Sequence, residues 1–89
     1  MREIKRHKQF LKDYKDVKVS DKHFVKFTLF LANLLKDKEL PKEALDHPLK
    51  GEWHGWREFH VSGDLLVIYK IRDDVLELAR IGTHSELFG

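Results

Sequence analysis

The chain has 89 residues, 42% of them hydrophobic and 36% charged, with a formal net charge of +2. That length holds one domain with a modest core, and that balance suits a folded soluble domain rather than a disordered chain. The absence of cysteine excludes disulfides, a thiolate nucleophile and cysteine-based zinc sites, and no apolar run approaches the ~20 residues of a membrane helix.

Residues 2 to 7 (REIKRH) are short and polar, and read as an edge strand. From Phe10 onward, Phe10, Leu11, Tyr14 and Val17 recur at helical spacing. Residues 1 to 26 hold nine Lys/Arg against four Asp/Glu, while the rest of the chain is net acidic. A basic first third is the footprint of a polyanion-binding surface, with Lys5, Lys8 and Lys12 as candidate phosphate contacts. A solvated helix face with surplus lysines is the plainer reading. This charged start is no secretory signal, and the expected compartment is the cytoplasm.

Ser20 or Asp21 offers an N-cap for a second, stronger helix. Its stripe of Phe24, Phe27, Phe30, Leu31, Leu34 and Leu35 ends near Asp37. Leu40-Pro41 breaks the pattern, and Pro41 starts a short turn through Leu45.

The period then changes. Trp53 to Val61 reads as a strand, Ser62-Gly63-Asp64 as a three-residue turn, and Leu65 to Ile71 as a buried strand. Asp73-Asp74 makes a two-residue hairpin into Val75 to Ile81. Thr83 and Glu86 form a capping-box pattern, which predicts a short C-terminal helical turn carrying His84 and Phe88. The expected fold is one α+β domain over residues 1 to 89, with N-terminal helices packed on one face of a small, mainly antiparallel sheet.

Four of the six histidines follow residue 46: His47, His54, His60 and His84. Imidazoles titrate near neutrality, so a clustered pair can give and take a proton in one reaction. Asp64 can orient a histidine or act as a base, and Arg80 supplies a planar cation suited to phosphate. No nucleophile elbow and no glycine-rich phosphate loop is present. Singly, each candidate has a plainer role: His54 as a surface side chain, His47 and Asp64 in turns, Phe88 as a plug over the sheet. No metal-ligand spacing joins the histidines, so no metal or other cofactor is expected.

Together these residues carry a resemblance. The stretches DHPLKGEWHGWREFHV and DLLVIYKI, followed by LARIGTHSELFG, resemble the YafQ branch of the RelE/ParE superfamily of bacterial toxins. The resemblance spans residues 46 to 89 and is weaker over 1 to 45, where the two-helix plan agrees. It implies a RelE-like fold and a metal-independent endoribonuclease that enters the ribosome and cuts mRNA in the decoding site. It also implies a cognate antitoxin as partner and a monomer when free. Position by position it marks His47, His60, Asp64, Arg80 and His84 as catalytic and Phe88 as an RNA contact; Lys50 and Trp56, in the same stretch, are further candidate RNA contacts. Ser62-Gly63 before Asp64, and leucine after it, depart from relatives with bulkier residues there.

The chemistry this implies is self-consistent. RNA supplies its own nucleophile, the 2′-hydroxyl. One of His60 and Asp64 takes its proton, His84 protonates the departing 5′-oxygen, and Arg80 with His47 stabilises the phosphorane. Phe88 stacks on a base. Two other functions compete: a ParE-like gyrase inhibitor, which needs no histidine cluster, and a non-catalytic RNA-binding regulator.

One expectation conflicts with this site. The turn lengths above place Val67 opposite both Phe59 and Arg80, so Arg80 shares a sheet face with Phe59 and not with His60. Grouping Arg80 with His60 requires a β-bulge, or His60 reaching round the sheet edge.

Overall fold

The computed structural model describes all 89 residues. In chain order it contains β1 (Glu3–Arg6), α1 (Lys8–Asp16), α2 (Asp21–Leu35), β2 (His47–Pro48), β3 (Arg57–Ser62), β4 (Leu65–Arg72), β5 (Val75–Thr83) and α3 (His84–Phe88). The five strands lie in the order β1-β5-β4-β3-β2. β1 runs parallel to β5 at one edge, and every other pairing is antiparallel. The α+β architecture expected from the sequence is present. No helix is long and apolar enough to cross a membrane.

Both long helices cover one sheet face. Phe10 from α1 and Phe27, Phe30 and Leu34 from α2 pack on Phe59, Val61, Val67, Tyr69, Leu76, Leu78 and Ile81. In β3 and β5 these residues alternate with polar or smaller ones, while in β4 they alternate with Leu66 and Ile68, which pack on the other face. Ser20 caps α2, its side chain accepting from the His23 amide. The apolar stripe is wider than the buried one. Leu11, Tyr14 and Phe24 stay substantially exposed and line a groove of about 710 Å³ between the helices and β1.

The opposite face carries a smaller cluster of Leu66, Ile68, Ala79 and Leu87, flanked by Leu49, Trp53 and Trp56. Leu87 docks α3 here; burying such a side chain contributes about 2 kcal/mol. The expected capping box is formed: the Thr83 hydroxyl accepts from the Glu86 amide, and the Glu86 carboxylate accepts from the Thr83 amide at 2.8 Å. A Cβ at Gly82 would stand 3.2 Å from both Glu86 Oε1 and Leu87 Cδ2. Glycine therefore lets α3 fold back closely on β5.

The structure departs from the sequence reading in three places. The strand expected from Trp53 begins at Arg57, because Gly51 and Gly55 take φ of +67° and +93° and Gly51–Trp53 forms a 3₁₀ turn. His47–Pro48 is a short edge strand, pairing with Glu58 and Arg57, where an edge tolerates proline. The β3–β4 turn is the two-residue Gly63-Asp64, with a bulge between His60 and Ser62. The Asp73-Asp74 hairpin forms as expected, both residues with positive φ of 52° and 63°, matching a type I′ turn.

A second bulge resolves the register conflict. Tyr69 pairs with Leu78 but Ile68 pairs with Arg80, leaving Ala79 extra in β5. Ile68 also pairs with Glu58, and Leu66 with both His60 and Gly82. Arg80 therefore registers on the face of Glu58 and His60.

Candidate active site

Strand alternation puts Glu58 and His60 on one face, and the short pairing of β2 brings His47 opposite Glu58. Glu58 Oε2 lies 3.3 Å from His60 Nε2 and 3.5 Å from His47 Nε2. The two imidazole centroids are 6.4 Å apart. The Glu58 side chain is 6% exposed, against 24% for His60 and 47% for His47. A buried carboxylate needs partners, and here two imidazoles supply them.

His47 is held from behind. Its Nδ1 donates to the Leu45 carbonyl at 2.6 Å. The neighbouring Asp46 accepts from the buried Tyr69 hydroxyl at 2.7 Å and from Arg57 Nε at 3.1 Å. Burial, then the hydrogen bond to Asp46, pushes the Tyr69 phenol well above its ordinary range. Tyr69 therefore stays a neutral donor.

Arg80 lies two strands from His60, a separation of about 10 Å. Its Nε donates to Asp13 Oδ2 at 2.7 Å and its Nη2 to Asp13 Oδ1 at 3.1 Å. Burial pushes the Asp13 carboxyl up, but hydrogen bonds from Arg80, Gln9 and the Ile81 amide outweigh it and hold the carboxyl below its ordinary value. The guanidinium is thus fixed along one edge.

At the end of the sheet nearest His60, Asp64 Oδ1 accepts from the His84 amide at 3.2 Å. This ties the β3–β4 turn to α3. The His84 and Phe88 rings are 5.0 Å apart, one helical turn from each other, and both are exposed. Because Leu66 pairs with both His60 and Gly82, one strand separates His60 from the segment that launches α3. A cleft of about 440 Å³, lined by Lys22, His23, Lys26, Glu43, His60 and Ser62, opens beside His60.

The outlying candidates fall elsewhere. Lys50 is exposed after β2, and Lys5, Lys8 and Lys12 are exposed on β1 and α1. Trp56 is half-buried: Lys70 Nζ sits 4.2 Å from its ring centroid, and His7 and Trp53 meet it edge-on. No group of three or more His, Cys, Asp or Glu side chains is arranged to hold a metal ion. The sequence reading missed Glu58, Asp13 and His23, whose Nε2 lies 2.7 Å from the Ser62 hydroxyl. Glu58 carried a usable signal, since two residues apart on a strand means one face.

This geometry meets its comparison in known proteins. The family model described as bacterial toxin of type II toxin-antitoxin system, YafQ, matches residues 2–89. The chain belongs to the YafQ family. The mRNA interferase toxin YafQ of Escherichia coli K12 is 41% identical over 90 residues, covering 99% of this chain and 97% of that protein. A crystal structure of an E. coli YafQ histidine-to-glutamine variant superposes with a TM-score of 0.86 at 37% identity, over the whole of both chains. The E. coli DinJ–YafQ complex gives 0.85 at 38% identity, again over both full chains. YafQ membership thus extends the likeness from residues 46 to 89 to the helical half as well.

Proposed function

We propose that this YafQ-family toxin is an endoribonuclease that cuts mRNA engaged on the ribosome and is silenced by a cognate antitoxin. The observation that carries the reading is the convergence of His47 and His60 on one buried carboxylate, on the sheet face where the bulge registers Arg80. The E. coli relative's description as an mRNA interferase supports it, as does that relative's complex with DinJ.

The reaction uses the RNA's own nucleophile. His60 or Asp64 takes the 2′-hydroxyl proton as the O2′–P bond forms. His84 gives a proton to the 5′-oxygen as the P–O5′ bond breaks. Arg80 and His47 place positive charge where the phosphorane gains negative charge. Phe88 stacks on a base and keeps O2′, phosphorus and O5′ in line. Lys5, Lys8, Lys12 and Lys50 meet RNA phosphates. The products are a 2′,3′-cyclic phosphate and a 5′-hydroxyl, and no step calls for a metal or other cofactor.

The test is cleavage of a translated mRNA with and without ribosomes, followed by chemical mapping of the new ends. Cyclic phosphate and 5′-hydroxyl ends that depend on ribosomes are the expected result. Intact mRNA in both reactions, or 5′-phosphate ends, would remove this function.

A further inference from the structure

Resting on that reading, we infer that Glu58 is the positioning residue for both histidines, drawing the Nε2 edge of each ring toward itself so that His60 keeps Nδ1 free as the base and His47 is held beside it. Glu58 presents one buried oxygen to two imidazole Nε2 atoms, at 3.3 and 3.5 Å. Neither contact has the directed N–H···O geometry of a hydrogen bond, but a carboxylate oxygen accepts and does not donate, so at this ion-pair distance a hydrogen on His60 Nε2 is favoured over a lone pair.

The two rings differ in what their other nitrogen does. His47 Nδ1 is committed as donor to the Leu45 carbonyl. His60 Nδ1 has no partner in the protein. With Nε2–H turned to Glu58, its Nδ1 lone pair is free for the 2′-hydroxyl. One carboxylate thus selects the tautomer of one ring and anchors the other, as second partners of catalytic histidines do elsewhere.

The surroundings make this selection firm. His47 on β2 and His60 on β3 face Glu58, and on β4 the apolar Ile68 pairs with it. The next cation in that register, Arg80 on β5, is already paired with Asp13. Lys70, two residues beyond Ile68 on that face, sits over the Trp56 ring instead. The proton balance closes: the hydroxyl proton moves to His60 Nδ1, its Nε2–H stays on Glu58, and His84 supplies the proton that leaves with the 5′-oxygen.

The experiment uses the full chain, free of antitoxin, as wild type, Glu58→Gln and Glu58→Asp. Long-range ¹H–¹⁵N spectra read the tautomer and titration of each imidazole, and ribosome-programmed cleavage reads kcat, KM and the pH profile. In the wild type His60 should be the Nε2–H tautomer, and His47 should carry a hydrogen on Nδ1, where it donates to the Leu45 carbonyl. In Glu58→Gln both rings should lose their protons at lower pH and the acid limb of the rate should move with them. kcat should fall roughly 10–10²-fold with KM retained, and Glu58→Asp should recover part of the loss. A wild-type His60 in the Nδ1–H form, or ring titrations unchanged in Glu58→Gln, overturns the inference. The wild-type tautomer decides the matter even if the glutamine variant fails to fold. A wild type that cleaves nothing while its rings titrate as described would remove the nuclease reading and leave the role of Glu58 in place.

Discussion

Asp13 on α1 holds Arg80 on β5 through two hydrogen bonds, at 2.7 and 3.1 Å, and the same carboxylate accepts the Ile81 amide at 3.1 Å. β1 pairs with β5 as far as Leu78, so beyond that point the strand edge needs another acceptor. Asp13 closes the edge and aims the guanidinium at once. Asp13→Ala should therefore destabilise the fold by about 1.5–3 kcal/mol, the range for a hydrogen bond to a charged group. It should also lower kcat by freeing Arg80. Thermal melting and single-turnover cleavage check the two effects.

The same pair sets an acid dependence. The Asp13 carboxyl is held below its ordinary value, and so is the Glu77 carboxyl, by the His7 hydrogen bond against burial and with help from Arg72 and Lys70. A carboxyl with a depressed folded value stabilises the fold above its unfolded value of about 4 and loses that contribution as pH falls through the folded value. Stability should fall with acid below about pH 4, and less steeply in Asp13→Asn. Urea melts across pH 2 to 6 read the difference; parallel curves for variant and wild type would contradict it.

Tyr69 gives the opposite limb. Its raised phenol value contributes stability below the unfolded value of about 10, and that contribution is lost as pH rises beyond it toward the folded value. Tyr69→Phe should cost about 1 kcal/mol at neutral pH and flatten the alkaline melting curve. Because Asp46 then keeps Arg57 but loses its buried donor, the His47 ring should also become more mobile, visible as broader imidazole resonances.

His84 is exposed at the start of α3, with its amide held by Asp64. His84→Ala keeps that amide and the capping box, so melting should barely change. Cleavage should drop roughly 10²- to 10⁴-fold, the range for a general acid. Full activity in a ribosome assay would leave the proton to another group.

Much of this was legible in the residues because local rules and tertiary packing agreed. Thr83 and Glu86 announced α3, the Phe27–Leu34 stripe announced α2, and Asp73-Asp74 announced its hairpin. The register was not legible. The bulge at Ala79 lies in LELARIGT, where there is no proline and the one glycine, Gly82, stands three residues further on, and it moved Arg80 across the sheet. Asp13 was hidden for another reason. On a lysine-rich helix it looked like one more solvated charge, and its burial depends on where β1 stops. The tryptophan stretch misled because Gly51 and Gly55 turn the chain, delaying β3 to Arg57.

The basic first third makes a sharper prediction in three dimensions. Lys26 is already paired with Glu43 at 2.8 Å, whereas Lys5, Lys8 and Lys12 are exposed on β1 and α1. Charge reversal of those three should weaken ribosome binding and flatten its salt dependence, with cleavage at saturating ribosome preserved. Lys26→Glu should be milder for binding and costlier for folding. Equal salt slopes for wild type and the triple variant would make these lysines a solvated face.

The last prediction concerns the antitoxin. The proposed catalytic face carries His47, Glu58 and His60, while the apolar groove of Ile4, Leu11, Tyr14, Phe24, Leu31 and Leu35 opens on the helical side. A partner that merely plugged the cleft would leave that groove to water, an exposed apolar surface of the kind that marks interaction sites. An amphipathic helix with apolar anchors at i, i+3 and i+4 suits such a groove, and Arg6 and Lys15 on its rim favour acidic flanks. Leu11→Glu and Phe24→Glu replace exposed side chains, so folding and cleavage by the free toxin should persist. Affinity for the antitoxin should fall roughly 10- to 100-fold, as when a buried anchor is lost, and co-expression should no longer rescue growth. Backbone shifts on binding then discriminate the modes. Changes at both the groove and residues 82 to 88 mean that the partner grips the helices and also displaces or covers α3. Changes at 82 to 88 alone, with affinity intact in both variants, mean that the cleft is the whole interface and the groove plays no part.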